Sequence, residues 1–171
     1  MNFSDLVKSR YSVRSFSDKK VENEKLEIIL EAARLAPTAC NNQPQKIYVL
    51  QSESAIEKLK KVSKFVFGAK TVIMITADRN KEWKSPLTDK YHTGEIDCSI
   101  VCTHMMLQAW ELGIGSCWVG YFDPDLVSRA FNLPENEQVI ALLPIGYPVD
   151  GCKPANGHYA SKTLDEIVSY L

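Results

Sequence analysis

Two spacings of apolar residues alternate along the chain and predict most of its elements. Leu26, Ile29, Leu30 and Ala33 recur at i, i+3, i+4 and i+7, which places them on one face of a helix over residues 22–35. Pro37 closes it, because the residue before a proline is pushed out of helical geometry. Residues 71–77 (TVIMITA) instead form a short, nearly unbroken apolar run rich in β-branched side chains, the pattern of a strand buried on both faces. Residues 139–145 (VIALLPI) read the same way, and 47–50 and 116–122 read as further strands. A short helix over 3–9 opens the chain. A second short helix covers 54–62, with Ser54 and Glu57 as a capping box. Asp123 and Pro124 cap another that runs through Phe131. A tail containing Gly and Pro, 150–161, leads to a last amphipathic segment, 164–171.

The longest expected helix, 96–112, differs from the others. Its apolar residues Ile96, Ile100, Val101, Met105, Met106, Leu107, Trp110 and Leu112 lie nearly all round it. A helix apolar on most faces must be buried on most faces. A chain of 171 residues has limited interior, so part of this surface is expected to meet another subunit. Gly113 and Gly115 end the helix. Before it, residues 79–95 form a polar loop holding Trp83, Pro86 and Tyr91, of a length common in functional lids. Helices and strands alternate loosely and no repeat interrupts them. The pattern predicts one domain over 1–171, of α+β class, arranged as an α/β sandwich.

Composition adds exclusions. Hydrophobic residues make up 45% and charged residues 24%, a globular balance. No apolar run reaches membrane-spanning length. Asp5 and Lys8 interrupt the N-terminal stretch, unlike a signal peptide, so cytoplasmic residence is expected. The net charge is −1 with both signs scattered. That leaves no concentrated basic field for a nucleic acid or a membrane surface. Cys40, Cys98, Cys102, Cys117 and Cys152 form no CxxC pair or zinc spacing, and His92, His104 and His158 no HExxH set. No metal site is expected, and the cysteines read as reduced thiols, mostly small packing residues.

Three segments carry candidate chemistry. In extended backbone, residues two apart share a side, so Arg10, Ser12 and Arg14 face one way and Tyr11 and Val13 the other. Two guanidinium groups and a hydroxyl suit a phosphate monoester, although such a group is also what a solvated basic edge looks like. Residues 37–44 (PTACNNQP) offer side-chain donors and acceptors on a turn, although turns use these residues anyway. Gly120, inside an expected strand, suggests close approach of a ligand, or a bulge.

Together these segments resemble the FMN-dependent nitroreductase family over nearly the whole chain. KSRYSVRSF resembles the family's opening basic motif. LEIILEAARLAPTACNNQPQKIYVL resembles its helix, Pro-Ser/Thr turn, Asn-x-Gln-Pro and strand. CTHMMLQAWELGIGSCWVGYFDP resembles its long dimer helix and glycine strand, and LLPIGYP its last core strand. Gln45 stands where the family commonly has an aromatic residue, and Ser161 where a basic residue is frequent. The chain also lacks the helical insertion with which larger relatives cover their substrate pocket.

The resemblance implies a mixed, mostly antiparallel sheet flanked by helices in an intertwined homodimer, with tightly bound FMN at the subunit interface. It implies that Arg10, Tyr11, Ser12 and Arg14 hold the FMN phosphate and ribityl chain, with Lys162 as a further phosphate contact. Pro37, Thr38, Ala39 and Asn41 would be the partner subunit's contribution. Val119 and Gly120 would lay backbone against the isoalloxazine. Electrons would pass from NAD(P)H through flavin N5 to a nitroaromatic, a quinone or a similar small acceptor, in ping-pong fashion and without an essential side-chain acid or base. Donors near flavin N1 and O2 would favour reduction, and the helix N-terminus at Asp123 is one candidate source. A non-enzymatic FMN-binding module, a cofactor-free interaction domain, and a same-fold enzyme with another outcome (enone reduction, dehalogenation, flavin fragmentation) are the alternatives.

Overall fold

The computed structural model describes residues 2–171. Four strands form its sheet: β1 (Gln45–Leu50), β2 (Thr71–Asp78), β3 (Gly115–Ser116) and β4 (Glu137–Gly146), in the order β1-β2-β4-β3. All three pairings are antiparallel. The parallel element is the bridge between Ser12 and Ser116 at the β3 edge. The described residues also form six α-helices: α1 (Phe3–Ser9), α2 (Asn23–Arg34), α3 (Glu53–Lys60), α4 (Gly94–Glu111), α5 (Pro124–Phe131) and α6 (Leu164–Ile167).

The two central strands divide their side chains between two cores. Ile73, Ile75 and Ala77 of β2 pack with Leu26, Ile29 and Ala33 of α2 and Val101, Cys102 and Met105 of α4. Val72 and Met74 pack on the other face with Ile56 and Leu59 of α3 and Val127 of α5. The result is three layers, helices on both sides of the sheet. Ile73, Met74 and Ile75 have no exposed surface, and burying each stabilises the fold by about 1.5–3 kcal/mol. A bulge in β4 adjusts the alternation. Ile75 pairs with Ala141 and Thr76 with Val139, so Ile140 is the extra residue. Val139 and Leu142 therefore share one core, while Ala141, Leu143 and Ile145 share the other.

Pro144 also shapes the sheet edge. Its carbonyl accepts from Cys117 N at 3.2 Å, and it has no N–H to return the second bond. The ladder lapses there and resumes where Val119 and Leu142 exchange bonds of 2.9 and 3.1 Å. The strand expected over 116–122 is thus a two-residue strand followed by an isolated bridge.

Other boundaries differ for local reasons. The cap of α3 is Ser52, whose Oγ accepts from Ala55 N at 3.2 Å. The Ser54–Glu57 box does not form, because Ser54 bonds Ser52 and Glu57 pairs with Lys60. The box chemistry sits at the last helix instead, where the Glu166 carboxylate accepts from Thr163 N at 2.8 Å and Thr163 Oγ1 at 3.0 Å. That helix is one exposed turn rather than an amphipathic segment over 164–171. No helix among the described residues is long and apolar enough to cross a membrane.

The outer face of α4 is apolar, as its sequence implied. Asp97, Cys98, Val101, Cys102, Met105 and Ala109 are buried. Ile96, Ile100, Thr103, His104 and Leu107 line the opposite side of the helix and, with Phe3 of α1, an open groove of about 660 Å³. Phe3 is 68% and Ile96 43% exposed.

Candidate functional site

Arg10, Ser12 and Arg14 converge because the chain is pinned between them. Val13 N donates to Ser116 O at 2.9 Å, and Val13 is fully buried. The close approach requires glycine at 115, where a Cβ would stand 2.6 Å from Val13 Cγ2. With Val13 fixed, Arg14, Ser12 and Arg10 all lie close enough to the Cys117 thiol to favour its charged form. Burial outweighs these groups and pushes the Cys117 thiol up, so it stays neutral. Among the described residues neither arginine is ion-paired with a carboxylate. Two guanidinium groups without a carboxylate partner leave their donors available to an anion. Tyr11 is differently committed. Its hydroxyl donates to Cys152 O at 3.2 Å and its ring meets Trp110 edge-on at 5.0 Å. Lys162 is exposed and makes no hydrogen bond or ion pair among the described residues, so the fold does not fix its side chain beside the arginines.

The turn after α2 is tight. Cys40, Asn41 and Gln43 have φ of 50°, 55° and 49°, the left-handed region that costs an L-residue energy and clusters at functional sites. Internal bonds hold it. Thr38 Oγ1 accepts from Gln43 N at 3.0 Å, and Asn41 Oδ1 from Gln43 Nε2 at 3.1 Å. Ala39 N donates to Asp97 Oδ1 at 2.9 Å. Cys40 is exposed.

Val119 is held flat by its two bonds to Leu142, and Gly120 beside it is exposed. A Cβ at Gly120 would meet nothing within 4 Å, so the glycine leaves an open backbone face. The neighbouring cavity, about 440 Å³, is lined by Val62, Ser63, Phe65, Gly120, Tyr121 and Leu126 among others. Phe65 and Tyr121 stack edge-to-face at 5.5 Å. Ser63 Oγ is buried there without a hydrogen-bond partner. The N-terminus of α5 is not a free donor set, contrary to expectation. Asp123 Oδ1 accepts from Asp125 N and Leu126 N at 2.9 and 3.1 Å, which satisfies those donors and adds a negative charge.

These pieces are not all together in one chain. The arginine segment is tied to α4 near its end, through Trp110 Nε1 and Ser9 Oγ at 2.9 Å and the Tyr11–Trp110 contact. The turn is tied to Asp97 in the first turns of α4. Those anchor points lie about 20 Å apart along the helix axis.

Sequence reasoning missed a second set of residues under the 79–93 loop. The Glu82 side chain is 2% exposed. It accepts from Gly94 N at 3.2 Å and faces Arg79 Nη1 and His92 Nδ1 at 3.1 Å each. Gly94 has no room for a Cβ, which would overlap Glu82 Oε2. Asp97 accepts from Thr93 Oγ1 at 2.9 Å as well as from Ala39. Glu82 and Asp97 lie in polar sequence that gives no sign of burial; glycine at the head of a long helix was the one available signal.

Known proteins share this fold. The model of the Nitroreductase family matches residues 7–64 and 60–147. A crystal structure of a nitroreductase family protein from Clostridium difficile is 44% identical, with a TM-score of 0.93 over 99% of this chain and 98% of that one. A relative from Archaeoglobus fulgidus, assigned as an NADH dehydrogenase/NAD(P)H nitroreductase, is 36% identical over 154 residues, 85% of this chain and 84% of its own. A second Clostridium difficile structure, of an FMN-dependent nitroreductase, is 28% identical with a TM-score of 0.77 over 96% of each chain. With its family model, its fold and its relatives in agreement, the chain belongs to the nitroreductase family.

Proposed function

We propose that the chain is an FMN-dependent NAD(P)H oxidoreductase that works as a homodimer and reduces a small acceptor such as a nitroaromatic or a quinone. The observation that carries this reading is the pair of guanidinium groups around Ser12 and Cys117 with no carboxylate to neutralise them. The residues fit FMN. A phosphate monoester matches the Arg10–Ser12–Arg14 donor set, with Lys162 adding charge from the tail. The open face at Gly120 leaves room for a flat ring, and Ser63 Oγ is a buried polar atom that lacks a partner.

The second subunit follows from the same geometry. The 37–41 turn stands at one end of α4 and the arginines at the other. An antiparallel partner packed on the Ile96–Ile100–Leu107 face would bring Pro37, Thr38, Ala39 and Asn41 of the partner subunit towards the arginines. It would also cover the apolar groove that includes Phe3.

FMN, when bound, supplies hydride acceptance and donation at N5. The chain's own residues bind and orient. Arg10, Ser12 and Arg14 fix the phosphate end. The Val119–Gly120 backbone supports the ring. Trp83 and Tyr91, in edge contact at 6.0 Å, limit access from the 79–93 loop. No side-chain acid or base is required. The five cysteines are unpaired, which suits a reducing, cytoplasmic compartment.

The test is direct. Gently purified protein should be yellow, sediment as a dimer, bleach anaerobically with NADH or NADPH, and recover on addition of a nitroaromatic or quinone. A colourless monomer that takes up no FMN refutes the reading. A yellow dimer that neither pyridine nucleotide bleaches is a flavin carrier instead.

A further inference from the structure

Asp97 is an unusual carboxylate. It lies one turn inside α4 with 2% of its surface exposed, and no cation among the described residues pairs with it. A buried carboxylate is costly unless hydrogen bonds satisfy it. Here Oδ1 accepts from Ala39 N and Oδ2 from Thr93 Oγ1, each at 2.9 Å, and the positive end of the helix dipole helps.

Its two partners belong to different functional segments. Ala39 lies in the 37–41 turn, next to the left-handed residues Cys40 and Asn41. Thr93 closes the base of a hairpin, with its N–H on Trp83 O at 3.1 Å. The hairpin is held by the Lys84–His92 bridge and by Ser85 N to Tyr91 O at 3.0 Å. It carries Trp83, Tyr91 and the exposed Leu87. Glu82 fastens the same base to the start of α4 through Gly94 N. An ionised carboxylate has only acceptors, so Asp97 holds both donors at once.

We propose that Asp97 is a positioning residue that joins the 83–93 hairpin to the 37–41 turn, so that acceptor-facing and flavin-facing segments move as one body. The consequence for flavin rests on the function proposed above; the joint itself does not. Loss of the joint frees a strained turn, so flavin retention falls, and frees the hairpin, so acceptors bind less well.

Three variants in the holoenzyme separate the parts: Asp97→Ala, Asp97→Asn and Thr93→Val. The readouts are backbone hydrogen exchange over 37–43 and 83–93, FMN fluorescence released on dilution, and KM and kcat for a small and a bulky quinone. Asp97→Ala should speed exchange in both segments and release FMN about tenfold more readily, the effect of losing a hydrogen bond to a charged group. Asp97→Asn keeps an acceptor for Ala39, while Thr93 can accept from its amide. It should restore retention to within about threefold. Thr93→Val, which also removes the 3.3 Å bond from Thr93 Oγ1 to Trp83 O, should speed exchange in 83–93 alone and raise KM for the bulky quinone without lowering kcat. Asp97→Ala, which leaves that bond in place, should match it over 83–93.

Unchanged exchange over 37–43 in a folded Asp97→Ala protein overturns the proposal. If that variant does not fold, Thr93→Val decides, and unchanged hairpin exchange and KM overturn it. A wild-type protein without flavin would sink the oxidoreductase reading, while the exchange comparison would still judge the joint.

Discussion

Replacing Arg14 with methionine isolates the electrostatic claim. Arg14 is exposed and unpaired with any acid among the described residues, so its loss should change folding stability by no more than about 0.5 kcal/mol. A hydrogen bond to a charged group contributes about 1.5–3 kcal/mol. At about 1.4 kcal/mol per tenfold, the dissociation constant for FMN should rise roughly 10- to 150-fold. The gap between wild type and variant should shrink in salt, because the arginine is exposed and screened. It should also shrink below about pH 6, where the phosphate takes up its second proton. Arg10→Met should behave similarly. The double variant should not show the sum, because both groups serve one phosphate. Quenching of FMN fluorescence during titration of flavin-stripped protein gives the affinities, and thermal unfolding controls for stability. If Arg14→Met binds FMN within twofold of wild type, the phosphate is held elsewhere. If the variant loses flavin only because it unfolds, the arginine is structural.

Further outcomes follow from other sites. Gly94→Ala would drive a methyl group into Glu82 and towards Ala77 Cβ, 3.1 Å away; a cost of about 1–3 kcal/mol should lower Tm by roughly 2–12 °C, and an unchanged Tm would contradict the packing. Burial, then the bond to Glu137 at 2.7 Å, pushes the Tyr48 phenol up to about 12 from 10.0. Its neutral form is favoured by the fold, so the contribution is whole below pH 10.0 and fades as pH rises towards about 12. The Tm advantage of wild type over Tyr48→Phe should shrink across that window; a constant difference would rule the bond out as its source. Iodoacetamide near neutral pH should label exposed Cys40 and spare Cys98, which burial pushes up to about 12, and Cys102, pushed up for the same reason; peptide mapping that finds Cys98 modified in folded protein would show the α4 core to be open. Ile100→Glu, in the α4 groove, should convert the proposed dimer to monomer in sedimentation and release flavin; a flavin-loaded monomer would refute the shared site.

How much of this was legible beforehand depended on whether a residue's role was local. The spacing of Leu26, Ile29 and Ala33 places α2 within one residue, because burying a helical face needs that spacing whatever it packs against. The alternation of Arg10, Ser12 and Arg14 is equally local, and in the structure all three act on the Cys117 thiol. Ser52 outcompeting Ser54 as a cap turns on two residues' difference in where the helix starts, a choice side-chain pattern does not make. The lapse after β3 comes from Pro144, nearly thirty residues away, and depends on register. Glu82 and Asp97 were invisible for the same reason. Their neighbours, Gly94 and Ala39, meet them only through tertiary packing. Tyr11 belonged to a recognised motif, yet its side chain is occupied by Trp110 and Cys152.

The length of α4, 18 residues, has a genetic corollary. If each flavin takes its arginines from one copy and its turn from the other, damage to the two segments is assigned to different sites within a mixed dimer. Coexpress a chain crippled at Arg10 and Arg14 with one crippled at the turn. Each heterodimer then collects both lesions in one half and leaves the other half whole. Two inactive alleles would rescue one another, to a ceiling of about a quarter of the wild-type sites under random assortment.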